Sequence, residues 1–147
     1  ILRVFPDAKF VFLVRDPLET IPSYFSLQEN VKFANLLSDK EIKLLRKETY
    51  AEIIEWYKET EKVKSKLYKK QFITFTYPQI TNDLENSIKS FYKFIGKKMT
   101  KKFEKEVSDF ARKKYIKKHQ NKNIEDYGFT KKQILSDFDF VYQEYFI

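Results

Sequence analysis

The chain contains no cysteine, one histidine and only two glycines, Gly96 and Gly128. Without cysteine it can form neither a disulfide framework nor a thiolate site, and a single histidine argues against a structural zinc site. Two isolated glycines cannot supply a Gly-rich loop of the kind that cradles phosphates. No apolar run reaches the ~18 residues of a membrane span, and no signal peptide is visible. We therefore expect a cytoplasmic protein with no metal site and no membrane segment in this chain.

The composition indicates a folded, basic domain. A chain of 147 residues fits a single domain, 1–147, and its 42% hydrophobic and 18% aromatic residues are enough for a packed core. The net charge is +8, yet lysines alternate with glutamates along the helical stretches. We interpret most of this charge as solvated surface and expect no nucleic-acid partner.

The most informative stretch is 5–27, FPDAKFVFLVRDPLETIPSYFSL. Its apolar run Phe10–Val14 lies between a lysine and an arginine and is typical of a buried strand. The run stops at Arg15, and Pro17 suits the first position of a helix because that position needs no N–H donor. A strand that ends in a basic residue and turns directly into a helix is where open α/β sheets bind anions.

Pro22 leaves two possibilities for the helix that follows. Because proline removes an internal hydrogen bond, the helix either bends at Pro22 or gives way to a new helical segment there. The second possibility would place free N–H groups beside Ser23, which favours an anion.

Further along, the pattern predicts a long helix and a second strand. Ser38 and Glu41 form a capping-box pattern for a helix that runs to about Tyr68. Phe72–Phe75 is β-prone and apolar and should end at Tyr77-Pro78, since the residue before proline prefers extended geometry. Two buried strands separated by helices predict a parallel, adjacent pair.

The C-terminal half should be helical. Helices are expected after Asn82 or Asp83 and after Thr100 and Thr130, the last running as one helix to about Tyr145. Gly96 should stop a helix, and Gly128 should lie in a turn. Two strands do not make a stable parallel sheet alone, so the remaining strands would have to come from upstream.

The sequence Arg15-Asp16-Pro17, with Ser23 eight residues after the arginine, resembles the sulfotransferases that use 3′-phosphoadenosine 5′-phosphosulfate (PAPS). In that family an arginine at the end of a buried strand and a serine eight residues later bind the nucleotide's 3′-phosphate. The residue types suit the task, because arginine presents a planar fork of donors to phosphate oxygens. The resemblance thus implies that Arg15 and Ser23 bind the 3′-phosphate.

The resemblance extends along nearly all of the chain. The stretch 73–96, ITFTYPQITNDLENSIKSFYKFIG, is similar to the family's second core strand and following helix. Tyr77 matches a tyrosine that lies by the nucleotide, whereas Pro78 and Gln79 replace an acidic pair. The closing segment 119–146 resembles the end of bacterial-type members and places His119 near the nucleotide.

The resemblance implies an enzyme that transfers a sulfuryl group from PAPS to a hydroxyl or amine of a small-molecule, glycan or peptide acceptor, releasing 3′-phosphoadenosine 5′-phosphate (PAP). It also implies an α/β fold, part of a P-loop-like parallel sheet flanked by helices. The family's 5′-phosphosulfate loop and general base usually precede the Arg-Asp-Pro strand, and neither is in this chain. We therefore expect the C-terminal part of a larger sulfotransferase domain, inactive alone, with catalytic residues that the chain does not identify.

Two other functions fit the residues. One is a fragment of another nucleotide-binding α/β enzyme, such as a kinase of the P-loop architecture. The other is a basic helical module that binds polyanions or a protein partner, whose affinity would fall steeply with salt.

Overall fold

The structure, a computed structural model, describes residues 2–29, 36–112 and 122–147. These residues form a predominantly helical α/β protein with a small sheet. The two strands are β1 (Phe10–Val14) and β2 (Phe72–Thr76). The helices are α1 (Pro17–Glu29), α2 (Asp39–Ser65), α3 (Tyr77–Asn82), α4 (Leu84–Ile95), α5 (Lys101–Ala111), α6 (Lys131–Asp137) and α7 (Asp139–Tyr145).

The two strands pair in parallel, from Phe10 opposite Phe72 to Val14 opposite Thr76. The predicted α/β class and the parallel, adjacent pairing are therefore confirmed. On one face of β1 the side chain of Leu13 is 70% exposed. Parallel sheets are normally covered on both faces, so this face of β1 is unusually open within the described part of the chain.

The chain forms two compact units. Residues 1–15 and 64–118 make up the sheet unit, and residues 16–63 and 119–147 make up the helical unit. The single domain expected over 1–147 stays a prediction.

In the sheet unit, helices pack on the strand pair and on one another. Helices α3 and α4 contact β2, and α4 packs against α5. The rings of Tyr92 and Phe103 lie 5.5 Å apart between α4 and α5, and Val107 on α5 is buried.

The helical unit has an aromatic core. Phe25 on α1 packs against Phe129 with ring centroids 5.5 Å apart, and Tyr50 on α2 stacks on the same ring at 4.6 Å. Phe138 lies between α6 and α7 and is fully buried. These contacts join α1, α2 and the C-terminal helices into one packed unit.

Most predicted helix ends are confirmed. Ser38 and Glu41 close a capping box at the start of α2, and the side chains of Asp83, Thr100 and Thr130 cap α4, α5 and α6. Gly96 ends α4 at φ +72°, and Gly128 occupies a turn at φ +85°. Both glycines have a left-handed backbone that other residues rarely adopt.

Two boundaries differ from the sequence prediction. Helix α2 ends at Ser65 rather than near Tyr68. The last predicted helix is two helices, because Phe138 interrupts it with φ −110° and ψ 21°. No glycine or proline marks that break, so the local sequence gives no signal for it. Within the described ranges no helix combines the length and apolar character needed to cross a bilayer.

Candidate functional site

Two of the predicted site residues meet where the strands end. Arg15 follows β1 directly and Tyr77 follows β2, and the register places Val14 opposite Thr76. The carbon at the centre of the Arg15 guanidinium lies 5.0 Å from the centroid of the Tyr77 ring. Both residues are half-buried. The ring thus supports the cation at the carboxyl ends of two parallel strands, the edge at which such sheets bind ligands.

A capping box fixes Tyr77 in this place. The N–H of Thr76 donates to Gln79 Oε1 at 2.7 Å, and the N–H of Gln79 donates to Thr76 Oγ1 at 3.3 Å. Tyr77 is therefore the first residue of α3. The strand ends before Tyr77-Pro78 as predicted, but the extended geometry expected for Tyr77 is wrong, because this residue is helical. Pro78 fits because the first turn of a helix needs no N–H there.

Gln79 stabilises the start of α3, at a position where the family that the sequence resembles has an acidic residue. Its amide oxygen accepts from the Thr76 N–H, and so it performs the part that a glutamate or glutamine takes in a capping box. The replacement therefore keeps the start of α3 intact.

Ser23 lies in the interior of α1. This helix is continuous over Pro17–Glu29, with Pro22 inside it, so no new helical segment starts at Pro22. Ser23 is half-buried on the side of α1 opposite Ile21 and Phe25, which are buried. Because Ser23 lies inside a continuous helix, no free backbone N–H groups of a helix start lie beside it. The group that Ser23 can offer to an anion is therefore its side-chain hydroxyl.

Asp16 organises the start of α1. Its Oδ1 accepts the N–H of Leu18 at 2.8 Å, and its carbonyl accepts the N–H groups of Glu19 and Thr20, both at 2.9 Å. The hydroxyl of Tyr142 on α7 donates to the same Oδ1 at 2.6 Å. Sequence reasoning missed Tyr142, because nothing in the pattern links residues so far apart in the chain.

His119, the fourth predicted site residue, lies outside the described residues. Its proximity to the nucleotide stays a prediction. The structure therefore brings Arg15 and Tyr77 together and places Ser23 on a helix surface.

Three tyrosines of the helical unit donate their hydroxyls to carboxylates. Burial, followed by the hydrogen bond to Asp16, raises the pKa of Tyr142 above its ordinary value. Burial and a bond to Asp137 likewise raise the pKa of Tyr50, and burial and a bond to Glu61 raise that of Tyr145. All three hydroxyls are thus protonated donors at neutral pH.

These raised pKa values predict a loss of stability in alkali. In the unfolded chain tyrosines lose their protons near pH ~10, whereas in the fold these three keep them to higher pH. Their stabilisation is therefore complete below pH ~10 and falls as the pH rises above it. Urea unfolding at a series of pH values should show a shallower alkaline fall for Tyr142→Phe than for the parent protein. The variant Tyr68→Phe, which alters an exposed tyrosine, should keep the parent slope, and a parent-like slope in Tyr142→Phe would contradict the assignment.

The fold and the site define an α/β protein with a cationic group at the carboxyl ends of its parallel strands. Residues 1–101 match the profile of the sulfotransferase family. The chain belongs to this family, and its resemblance to sulfotransferases is confirmed.

A comparison with solved structures found the same kind of fold. The crystal structure of sulfotransferase STF9 from Mycobacterium avium is similar with a TM-score of 0.79 and 19% sequence identity. The match covers 99% of this chain and 38% of that chain. At this identity the likeness concerns the fold. A search of curated protein sequences found no significant match.

Proposed function

We propose that this chain is part of a PAPS-dependent sulfotransferase and supplies the binding site for the 3′-phosphate of the nucleotide. The observation that carries the proposal is the Arg15 guanidinium, held over the Tyr77 ring at the carboxyl ends of β1 and β2. Family membership and the Arg-Asp-Pro motif with Ser23 support the same function.

The residues present suit a phosphate. In this proposal Arg15 presents its planar fork of donors to the phosphate oxygens, and Ser23 adds one hydroxyl donor from α1. Tyr77 restrains the Arg15 side chain, since the ring contact removes part of its rotamer freedom before ligand binds. His119 is proposed to lie by the nucleotide.

PAPS, when bound, supplies the sulfuryl group that passes to an acceptor hydroxyl or amine. This chain's own residues bind and orient the nucleotide, and catalysis of such transfers depends chiefly on positioning and charge stabilisation. We propose that the acceptor is a small molecule, a glycan or a peptide, and that nucleic acid is not a partner. A cytoplasmic location stays a prediction.

The phosphosulfate loop and the general base are proposed to lie in a part of the enzyme outside this chain. The matched length agrees with that view, because the chain spans 38% of the sulfotransferase to which it is similar. Residues 1–147 alone should then bind the 3′-phosphate end of PAP without turning over PAPS.

Calorimetry of the full-length protein with PAP, ATP and AMP tests the function. PAP should bind roughly 100-fold more tightly than AMP, since the contacts of its 3′-phosphate with Arg15 and Ser23 should contribute about 3 kcal/mol in total. Stronger binding of ATP than of PAP would favour another nucleotide-binding enzyme. Binding that ignores the 3′-phosphate and falls steeply with salt would favour a polyanion-binding module. Either result would overturn the proposal.

Ser23→Ala should weaken PAP binding by about 1 kcal/mol, roughly fivefold, because one neutral hydroxyl donor is lost. AMP binding should stay unchanged in the same calorimetric experiment. Ser136→Ala removes an exposed serine on α6 of the same unit and serves as the matched control. Equal losses for PAP and AMP in Ser23→Ala would show that Ser23 does not recognise the 3′-phosphate.

A further inference from the structure

The start of α1 depends on a residue near the C-terminus of the chain. Asp16 Oδ1 accepts two hydrogen bonds, from the Leu18 N–H at 2.8 Å and from the Tyr142 hydroxyl at 2.6 Å. The second bond comes from α7, a different element of the helical unit. Two donors from two elements fix the orientation of the Asp16 carboxylate, and with it the cap of α1.

The position of this cap matters for the proposed site. Asp16 directly follows Arg15, and α1, which it caps, carries Ser23. Because the Asp16 carbonyl also accepts the N–H groups of Glu19 and Thr20, the backbone of Asp16 cannot turn without breaking the first turn of α1.

We propose that Tyr142 is a positioning residue for nucleotide binding, which acts through Asp16 by holding the turn between Arg15 and α1. The inference rests on the proposed function of Arg15 and Ser23 in binding the 3′-phosphate. It assigns the C-terminal helix α7 a part in nucleotide affinity although Tyr142 itself need not touch the nucleotide.

The hydroxyl of Tyr142, rather than its ring, is the group that holds Asp16 in place. The ring of Tyr142 packs against that of Phe146, with centroids 5.8 Å apart, and this contact survives in Tyr142→Phe. The variant therefore removes one hydrogen bond to Asp16 and leaves the ring in place. Because the pKa of Tyr142 is raised by burial and by Asp16, the hydroxyl is a donor throughout the neutral range.

Helix α7 offers a matched control. The hydroxyl of Tyr145, three residues further on, donates to the carboxylate of Glu61 on α2. Tyr145→Phe therefore removes the same kind of bond from the same helix, at a partner that does not cap α1.

The experiment uses the full-length protein and measures PAP and AMP affinity by calorimetry together with amide hydrogen exchange. Tyr142→Phe should weaken PAP binding about three- to tenfold, the range of one net hydrogen bond, and change AMP binding less than about twofold. It should also speed exchange at the amides of Leu18, Glu19 and Thr20. Tyr145→Phe should leave PAP affinity and these amides at the parent values.

The inference would be overturned if Tyr142→Phe and Tyr145→Phe weakened PAP binding equally. It would also be overturned if Tyr142→Phe weakened PAP and AMP binding equally. Both results would leave the proposed function standing. Unchanged exchange at the start of α1 in Tyr142→Phe would overturn the inference as well. Failure of the parent protein to bind PAP would overturn the proposed function, and the role of Tyr142 with it.

Discussion

Replacing Phe138 with alanine should lower the free energy of unfolding of the helical unit by about 3–5 kcal/mol. The side chain is 0% exposed and meets Tyr50 and Tyr57 edge-on, with ring centroids 6.1 and 5.3 Å away. Truncation would remove both aromatic contacts and leave a cavity where α6 meets α7.

Urea unfolding followed by tryptophan fluorescence measures this loss. Trp56 is the single tryptophan of the chain and lies on α2 in the helical unit, so its emission reports that unit. Leu44→Ala, which truncates a leucine of α2 in the same unit that is 57% exposed, should change the free energy of unfolding by no more than about 0.5 kcal/mol. A loss for Phe138→Ala as small as that of the control would contradict the assignment of Phe138 to the core.

Replacing Arg15 with alanine should weaken PAP binding by about 2 kcal/mol or more, at least roughly 30-fold. The guanidinium is the charged group that we propose for the 3′-phosphate, and its contact with Tyr77 already restrains it in the free protein. AMP, which lacks that phosphate, should bind the variant as it binds the parent protein.

Arg15→Lys separates charge from geometry. Lysine keeps the positive charge but lacks the planar fork and its contact with the Tyr77 face, so PAP affinity should lie between those of the parent and the alanine variant. Equal losses of PAP and AMP in Arg15→Ala, measured by calorimetry, would mean that Arg15 shapes the fold instead of recognising the phosphate.

Local sequence patterns correctly predicted the strands and the helix starts that depend on residues close together in the sequence. The apolar run Phe10–Val14 has the predicted strand bounds, and Phe72–Phe75 is a strand that extends one residue further, to Thr76. Helix starts at Asp83, Thr100 and Thr130 were predictable because each cap is a bond between residues close in sequence.

Two features of the fold escaped prediction from the sequence. Tyr77 begins a helix although the residue before a proline prefers extended geometry, since the Thr76–Gln79 capping box stabilises the first turn. Phe138 divides the last helix although neither glycine nor proline stands at the break, so the local pattern gave no signal for it.

The candidate site was predictable in part. The family resemblance predicts Arg15 and Tyr77 as site residues, and the parallel register explains why they meet, since both follow the paired ends of the strands. The bond between Asp16 and Tyr142 could not be predicted, because it joins elements that only the folded helical unit brings together.

The central claim is that Arg15 and Ser23 recognise the 3′-phosphate, and the variant carrying both Arg15→Ala and Ser23→Ala tests it most directly. The quantity to measure is the ratio of PAP to AMP affinity in the full-length protein. We expect a ratio of roughly 100-fold in the parent protein, about the product of the two single-variant losses, and less than about twofold in the double variant. A double variant that stays folded and keeps the parent preference for PAP would contradict the account.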